Sequence, residues 1–154
     1  MIDPKTSNQE LTAWRGNMPV ENLYTVGIAG ERFFRMLKDK GKLVGTRCPS
    51  CGKTYVPARM YCEPCFERRT EEVALPLTGE VTTFTVCRRD LDERPIAEPQ
   101  VIAHIRIDGA EGGLVHWIAA APEAVRIGMR VEAVLAKKRV GALTDIEHFR
   151  PVKR

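Results

Sequence analysis

The sequence predicts a mainly β protein with one N-terminal helical segment, and three observations carry that reading. Two C-x-x-C pairs, Cys48 with Cys51 and Cys62 with Cys65, repeat the same spacing within a short stretch. Runs rich in β-branched residues begin at Gly79 and are separated by turn residues. One amphipathic stretch stands before the cysteines. Together they predict a helical segment, a four-cysteine zinc ribbon, and then a small OB-fold-like β-barrel. The expected division is an extension over 1–27, the helix over 28–42, the ribbon over 43–75 and the barrel over 76–154.

The extension holds Leu11, Trp14, Met18, Val20, Leu23 and Tyr24, broken up by Pro4, Gly16, Pro19 and Gly27. These residues make no core by themselves, so they pack on the rest of the chain or on a partner. In the helix, Ile28, Phe33, Phe34 and Leu37 share one broad face with Met36 at its margin. Glu31, Arg32, Arg35, Lys38 and Asp39 are mostly on the other. Gly41 ends the helix, and basic residues in its last turn suit the helix dipole. Two adjacent phenylalanines exceed what one face of a lone short helix buries; either both pack beneath the ribbon or one faces a partner.

Leu43–Arg47 is the strand that enters the first cysteine pair. Two residues between cysteines let one tight turn aim both sulfurs at a point. Two such turns facing each other give four thiolates at tetrahedral angles, with Zn–S near ~2.3 Å. Gly52 suits the left-handed turn that closes the first knuckle. Lys53–Pro57 forms a short strand, and Glu72–Leu75 another. A redox pair needs only one C-x-x-C, and two disulfides suit a secreted chain. Iron bound by the same four thiolates is chemically possible, with zinc the favoured occupant.

Beyond Pro76 and Gly79 the expected strands are Glu80–Cys87, Val101–Ile107, Leu114–Ala119, Val131–Ala136 and Thr144–Arg150. Residues 90–99, polar with two prolines, are expected to be a loop, and Pro122–Val125 a single helical turn. Five short strands fit an OB-type barrel.

At 29% charged and 44% hydrophobic residues the composition is that of a soluble globular chain. No apolar run approaches the ~20 residues of a membrane span. The polar start of the chain does not resemble a signal peptide, so a cytoplasmic setting with reduced thiols is expected. The formal charge of +4 treats cysteines as neutral. Four thiolates and one divalent zinc add −2, which weakens any case for nucleic-acid binding that rests on charge. Exposed aromatics interleaved with basic residues are also scarce in the barrel strands, so no nucleic-acid partner is expected.

No catalytic residue is assigned. Cys87, beside Arg88 and Arg89, is the cysteine left over, and a lone cysteine in a strand is ordinarily a small core residue. His104, His116 and His148 fall within strands and are expected to be packed and hydrogen-bonded.

The segments Gly30-Glu31-Arg32-Phe33-Phe34, Gly41-Lys42-Leu43, Arg47–Lys53, Pro57-Ala58-Arg59, Cys62–Cys65, Gly79-Glu80-Val81-Thr82 and Arg126–Val131, in that order, resemble the DUF35 family. That family consists of acyl-CoA-associated OB-fold proteins with a rubredoxin-like zinc ribbon. The resemblance covers about 28–152 and implies a zinc-containing partner of a thiolase-like catalytic subunit, or in other branches of a hydratase- or aldolase-like one. It implies help in holding a coenzyme A ester, while the partner carries the catalytic cysteine. One branch pairs with a thiolase acting on an aromatic β-oxoacyl-CoA. Coenzyme A carries a 3′-phosphate and a diphosphate, which call for Arg or Lys. Arg47, Lys53, Arg59, Arg68 and Arg69, on and just after the ribbon, are the candidates, set against the plainer reading that they are solvated surface charges. Lys137, Lys138 and Arg139 form a second basic run. Tyr55, Tyr61 or Phe66 is a candidate to stack on adenine, unless these aromatics fill the ribbon's own core.

Overall fold

A computed structural model describes residues 24–68, 70–90 and 92–152. The expectations for residues 1–23 and for Arg69 lie outside the described residues.

Helix α1 spans Gly27–Lys40 and is ended by Gly41, whose φ of 62° lets its N–H reach back to the Leu37 carbonyl at 3.0 Å. Phe33 and Leu37 are fully buried. Phe34 is half-buried against the same core, with its ring edge-on to Phe33 at 5.2 Å. Both phenylalanines are thus used within the chain. Ile28, expected on the packing face, is 62% exposed instead. The core lies under the middle and end of the helix, and the first turn overhangs it.

Three strands form the ribbon sheet: β1 (Leu43–Arg47), β2 (Thr54–Tyr55) and β3 (Glu71–Leu75), in the order β2-β1-β3. β1 is central, and a Cβ at Gly45 would stand 2.5 Å from the Tyr55 carbonyl oxygen, so the close approach of β2 requires glycine there.

The second half is a closed barrel of β4 (Thr78–Arg89), β5 (Pro95–Ile107), β6 (Gly113–Ile118), β7 (Arg130–Leu135) and β8 (Ile146–Pro151), ordered β4-β5-β6-β8-β7. Neighbouring strands are antiparallel except at β6–β8. Those two run parallel and meet at Ile118 and Phe149, where the Ala119 N–H donates to the Phe149 carbonyl at 2.8 Å. This order, closed through one parallel joint, makes the barrel an OB-fold. Alternate residues point inward, so Val81, Ile105, Ile107, Val131, Ile146 and Phe149 are all fully buried.

Two expected boundaries are corrected. The loop over 90–99 shrinks to a turn, because β5 begins at Pro95. Asp90 holds that turn, its Oδ1 accepting the N–H groups of Asp92 and Arg94, each at 2.9 Å. Neither proline blocks the ladder: Pro95 starts the strand, and Pro99 falls in the bulge between the Cys87–Gln100 and Arg89–Pro95 pairs. The last strand begins at Ile146, because Leu143–Asp145 is a 3₁₀ turn. Asp145 is buried, and its carboxylate accepts the N–H groups of Val140 and Gly141, both at 2.7 Å. The expected helical turn is found at Pro122–Ala124.

Ribbon, helix and barrel share one core, in which Phe33, Leu37, Leu43 and Val56 belong to the same cluster as the barrel interior. The Glu111 N–H donates to the Thr54 carbonyl at 2.8 Å, tying the β5–β6 turn to the ribbon. Arg139 Nε donates to the Lys38 carbonyl at 2.7 Å, tying the β7–β8 loop to the end of α1. Among the described residues no helix is long and apolar enough to cross a membrane.

Candidate functional site: a four-cysteine metal centre beside a basic cleft

The four expected cysteines converge. The sulfurs of Cys48, Cys51, Cys62 and Cys65 all lie within 4.8 Å of one another, with Cys48–Cys65 at 3.5 Å and Cys51–Cys62 at 3.4 Å. A tetrahedral site with Zn–S near ~2.3 Å has sulfurs about 3.8 Å apart, so this donor set fits one four-coordinate ion. Cys48 and Cys62 are buried, while Cys51 and Cys65 are exposed.

Each knuckle is closed by the same two backbone hydrogen bonds. In the first, the Cys48 N–H donates to the Lys53 carbonyl at 2.8 Å and the Gly52 N–H to the Cys48 carbonyl at 2.9 Å. In the second, the Cys62 N–H donates to the Glu67 carbonyl and the Phe66 N–H to the Cys62 carbonyl, both at 2.9 Å. Gly52 has φ 74°, and Phe66, at the equivalent place, has φ 56°. A phenylalanine thus occupies a left-handed position that glycine takes in the other turn. The Tyr55 hydroxyl lies 3.5 Å from Cys62 Sγ. Donated to the thiolate, this bond is the main influence that lowers the Cys62 thiol to about 6, against the opposing effect of burial. The same bond pushes the Tyr55 phenol up to about 12. Tyr55 packs within the ribbon, whereas Tyr61 and Phe66 are exposed, so ribbon aromatics do not all fill its core.

The basic candidates separate into two groups. Arg59 and Arg68 line one cleft of about 200 Å³ between α1 and the ribbon. Arg32 of α1 joins them there, together with Ile28, Thr46 and Glu72. Arg59 is held by an ion pair to Glu63 at 3.0 Å and lies over the Tyr55 ring, 5.1 Å from its centroid. Its backbone is held too, the Arg59 N–H donating to Thr46 Oγ1 at 2.9 Å. Arg32 and Arg68 make no ion pair among the described residues. Arg47 is not in the cleft: Thr46 lines it, and the next residue along a strand points to the opposite face. Lys53, in the first knuckle, is outside it as well. Sequence reasoning missed Arg32; its place on the polar side of the helix was the available signal.

The remaining candidates are accounted for locally. His116 is buried inside the barrel, edge-on to Phe149 at 5.8 Å, and its Nδ1 accepts the Trp117 N–H at 2.9 Å. Burial lowers its pKa. His104 Nδ1 lies 2.6 Å from Thr82 Oγ1. Cys87 is half-buried opposite Gln100.

Comparison with known proteins gives matches to both halves. The profile for the ChsH2 rubredoxin-like zinc ribbon domain matches residues 37–71, and that for the ChsH2 C-terminal OB-fold domain matches residues 72–136. The chain is 33% identical over 128 residues to a DUF35 domain-containing scaffold protein of Methanocaldococcus jannaschii, covering 79% of this chain and 90% of the relative. A scaffold protein of the same description from Pyrococcus furiosus is 29% identical over 125 residues, with 79% and 91% covered. Among solved structures, a DUF35-family protein of Sulfolobus solfataricus superposes with a TM-score of 0.61 at 35% identity, over 70% of this chain and 78% of that one. A chain of the Ltp2-ChsH2(DUF35) aldolase superposes with a TM-score of 0.60 at 24% identity, over 84% and 98%, a likeness of fold.

Proposed function

Because this chain belongs to the DUF35 family, we propose that it is a zinc-containing scaffold subunit of an acyl-CoA-processing complex. In this reading it holds the nucleotide end of a coenzyme A ester while a thiolase-like partner performs the chemistry. The relatives named above are described as scaffold proteins, which supports the assembly role. Zinc in the four-cysteine centre supplies the cross-link that lets a ribbon with a very small core of its own hold its shape.

The observation that carries the ligand reading is the cleft itself. It is lined by three arginines, Arg32, Arg59 and Arg68, between α1 and the ribbon. Guanidinium forks suit phosphate oxygens, and Arg59, fixed by Glu63 and the Tyr55 ring, is preorganised to use them. Arg32 and Arg68 have charge to offer, and Glu72 marks the side from which an anion is turned away. Positioning the ester for a partner's cysteine contributes to rate through orientation. The likeness to the DUF35 chain of an aldolase favours, as a second reading, an aldolase in place of the thiolase.

The test is kinetic. In the complex reconstituted with a thiolase-like subunit, replacing Arg59 and Arg68 together with Ala raises KM for the coenzyme A ester about ten-fold. Two exposed charge-assisted contacts at roughly 0.7 kcal/mol each account for that. The turnover number changes less, because the contacts act alike on substrate and transition state. Normal coenzyme A binding combined with lost assembly would move these arginines to the subunit interface and overturn the ligand reading.

A further inference from the structure

The two groups that hold the Arg59 guanidinium are both tied to one metal ligand, Cys62. Glu63, the next residue in the second knuckle, pairs with it at 3.0 Å. The Arg59 Cζ sits over the Tyr55 ring, 5.1 Å from its centroid, and the Tyr55 hydroxyl lies 3.5 Å from Cys62 Sγ. The Arg59 backbone is fixed as well: its N–H donates to Thr46 Oγ1 at 2.9 Å, and its carbonyl accepts from Thr70 Oγ1 at 3.0 Å. Tyr55 is 6% exposed and clusters with Cys48 and Cys62. Filling that cluster calls for a ring and nothing more. A hydroxyl placed against a ligand sulfur and a cation placed over the ring are two further uses of the same side chain.

We propose that Tyr55 is a positioning residue that couples the metal centre to the arginine cleft. Its ring holds the Arg59 guanidinium ready for a phosphate, and its hydroxyl fastens that ring to the Cys62 thiolate. This coupling presupposes that the cleft seats the nucleotide end of a coenzyme A ester, as proposed above, and makes that seat depend on the metal centre. An aromatic ring attracts a cation through its electron-rich face. A phenol that donates a hydrogen bond to a thiolate is polarised, and its ring becomes richer in electrons, so each contact strengthens the other. Partners of this kind fix the orientation of metal ligands and tune the metal they hold. An anion that draws Arg59 toward itself therefore alters the electron density at the Cys62 sulfur.

The probe is adenosine 3′,5′-bisphosphate, titrated into the full chain loaded with zinc for calorimetry and with cobalt(II) for absorption. In the native chain it should bind and shift the thiolate-to-cobalt charge-transfer band. Tyr55→Phe keeps the ring and removes the hydroxyl. It should raise Kd for the probe about three-fold, within what an exposed cation–π contact contributes. It should also abolish the band shift and release zinc to a chelator several-fold faster. Arg59→Ala should show no band shift at the same probe concentrations, which excludes direct attack of the probe on the metal. In that background Tyr55→Phe should change Kd no further. A residue that only fills the core gives a different result: Tyr55→Phe then matches the native chain in Kd and in band response, which overturns the inference. So does a probe that binds the native chain without moving the band. A native chain that binds no probe overturns the coenzyme A reading together with this one. Metal content and circular dichroism verify each variant; should Tyr55→Phe lose its metal, Arg59→Ala decides, and a band shift that persists there overturns the inference.

Discussion

The two knuckles offer a paired test of backbone strain. Gly52 and Phe66 occupy equivalent left-handed positions, at φ 74° and 56°. A side chain in that region costs about 1–2 kcal/mol, while glycine costs about 0.5–1 kcal/mol in chain entropy relative to Ala. Phe66 is 80% exposed, so its removal forfeits little burial. Phe66→Gly should therefore stabilise the zinc-loaded protein by about 0.5–1 kcal/mol, or about 1–4 °C in Tm. Gly52→Ala should do the reverse by a similar amount. The added Cβ meets nothing nearer than the mobile end of Arg47 at 4.0 Å, so conformation alone is tested. The assay is denaturant unfolding at saturating zinc, with a chelator competition on each variant. Since metal binding and ribbon folding are linked, Phe66→Gly should hold zinc at least as tightly as the native chain. Destabilisation by more than 1 kcal/mol in Phe66→Gly would refute the reasoning, because the ring would then be contributing packing that outweighs the strain.

Three further outcomes follow from named contacts. Cys62→Ser, removing a buried ligand, should abolish tight metal binding, and hydrogen exchange should show protection lost over residues 43–75 while the barrel keeps its own. Phe149→Ala, at the one parallel joint of the barrel and fully buried, should cost about 3–5 kcal/mol by denaturant unfolding. Asp145→Asn should cost about 2 kcal/mol at pH 7, since a buried carboxylate then no longer receives the 140–142 amides as an anion. Burial alone would raise the pKa of Asp145, but the N–H groups of Val140, Gly141 and Ala142, with Arg139 nearby, outweigh it and hold the pKa below the usual range. A depressed folded pKa means the stabilisation is complete above the unfolded value of about 3.9 and fades as pH falls through the folded one. The difference in unfolding free energy between native chain and Asp145→Asn should thus narrow below about pH 4; a difference constant down to pH 2 would remove the carboxylate from the account.

The metal centre was legible because its signal is local. Two residues between cysteines define a turn whatever surrounds it, so the convergence of the four sulfurs followed from spacing. The helix end at Gly41 and the helical turn after Ala121 were legible for the same reason, since glycine and proline act on their own φ angles. The DUF35 relationship was legible from the order of the motifs. Other features needed the folded chain. Period-two alternation says that Thr46 and Arg47 face opposite ways, but not that Thr46 is the one facing a cleft shared with α1. Arg32 joins Arg59 and Arg68 only because the helix packs across the ribbon through Phe33 and Leu37. Pro95 and Pro99 read as loop because the sequence does not disclose a bulge, which exists only relative to a paired strand. Asp145 reads as a strand residue for a similar reason: the amides that hold it come from a loop that folds back beneath the helix. Local turn chemistry belongs to the sequence, whereas the facing of a side chain depends on contacts between segments far apart along it, and those are made only when the core closes.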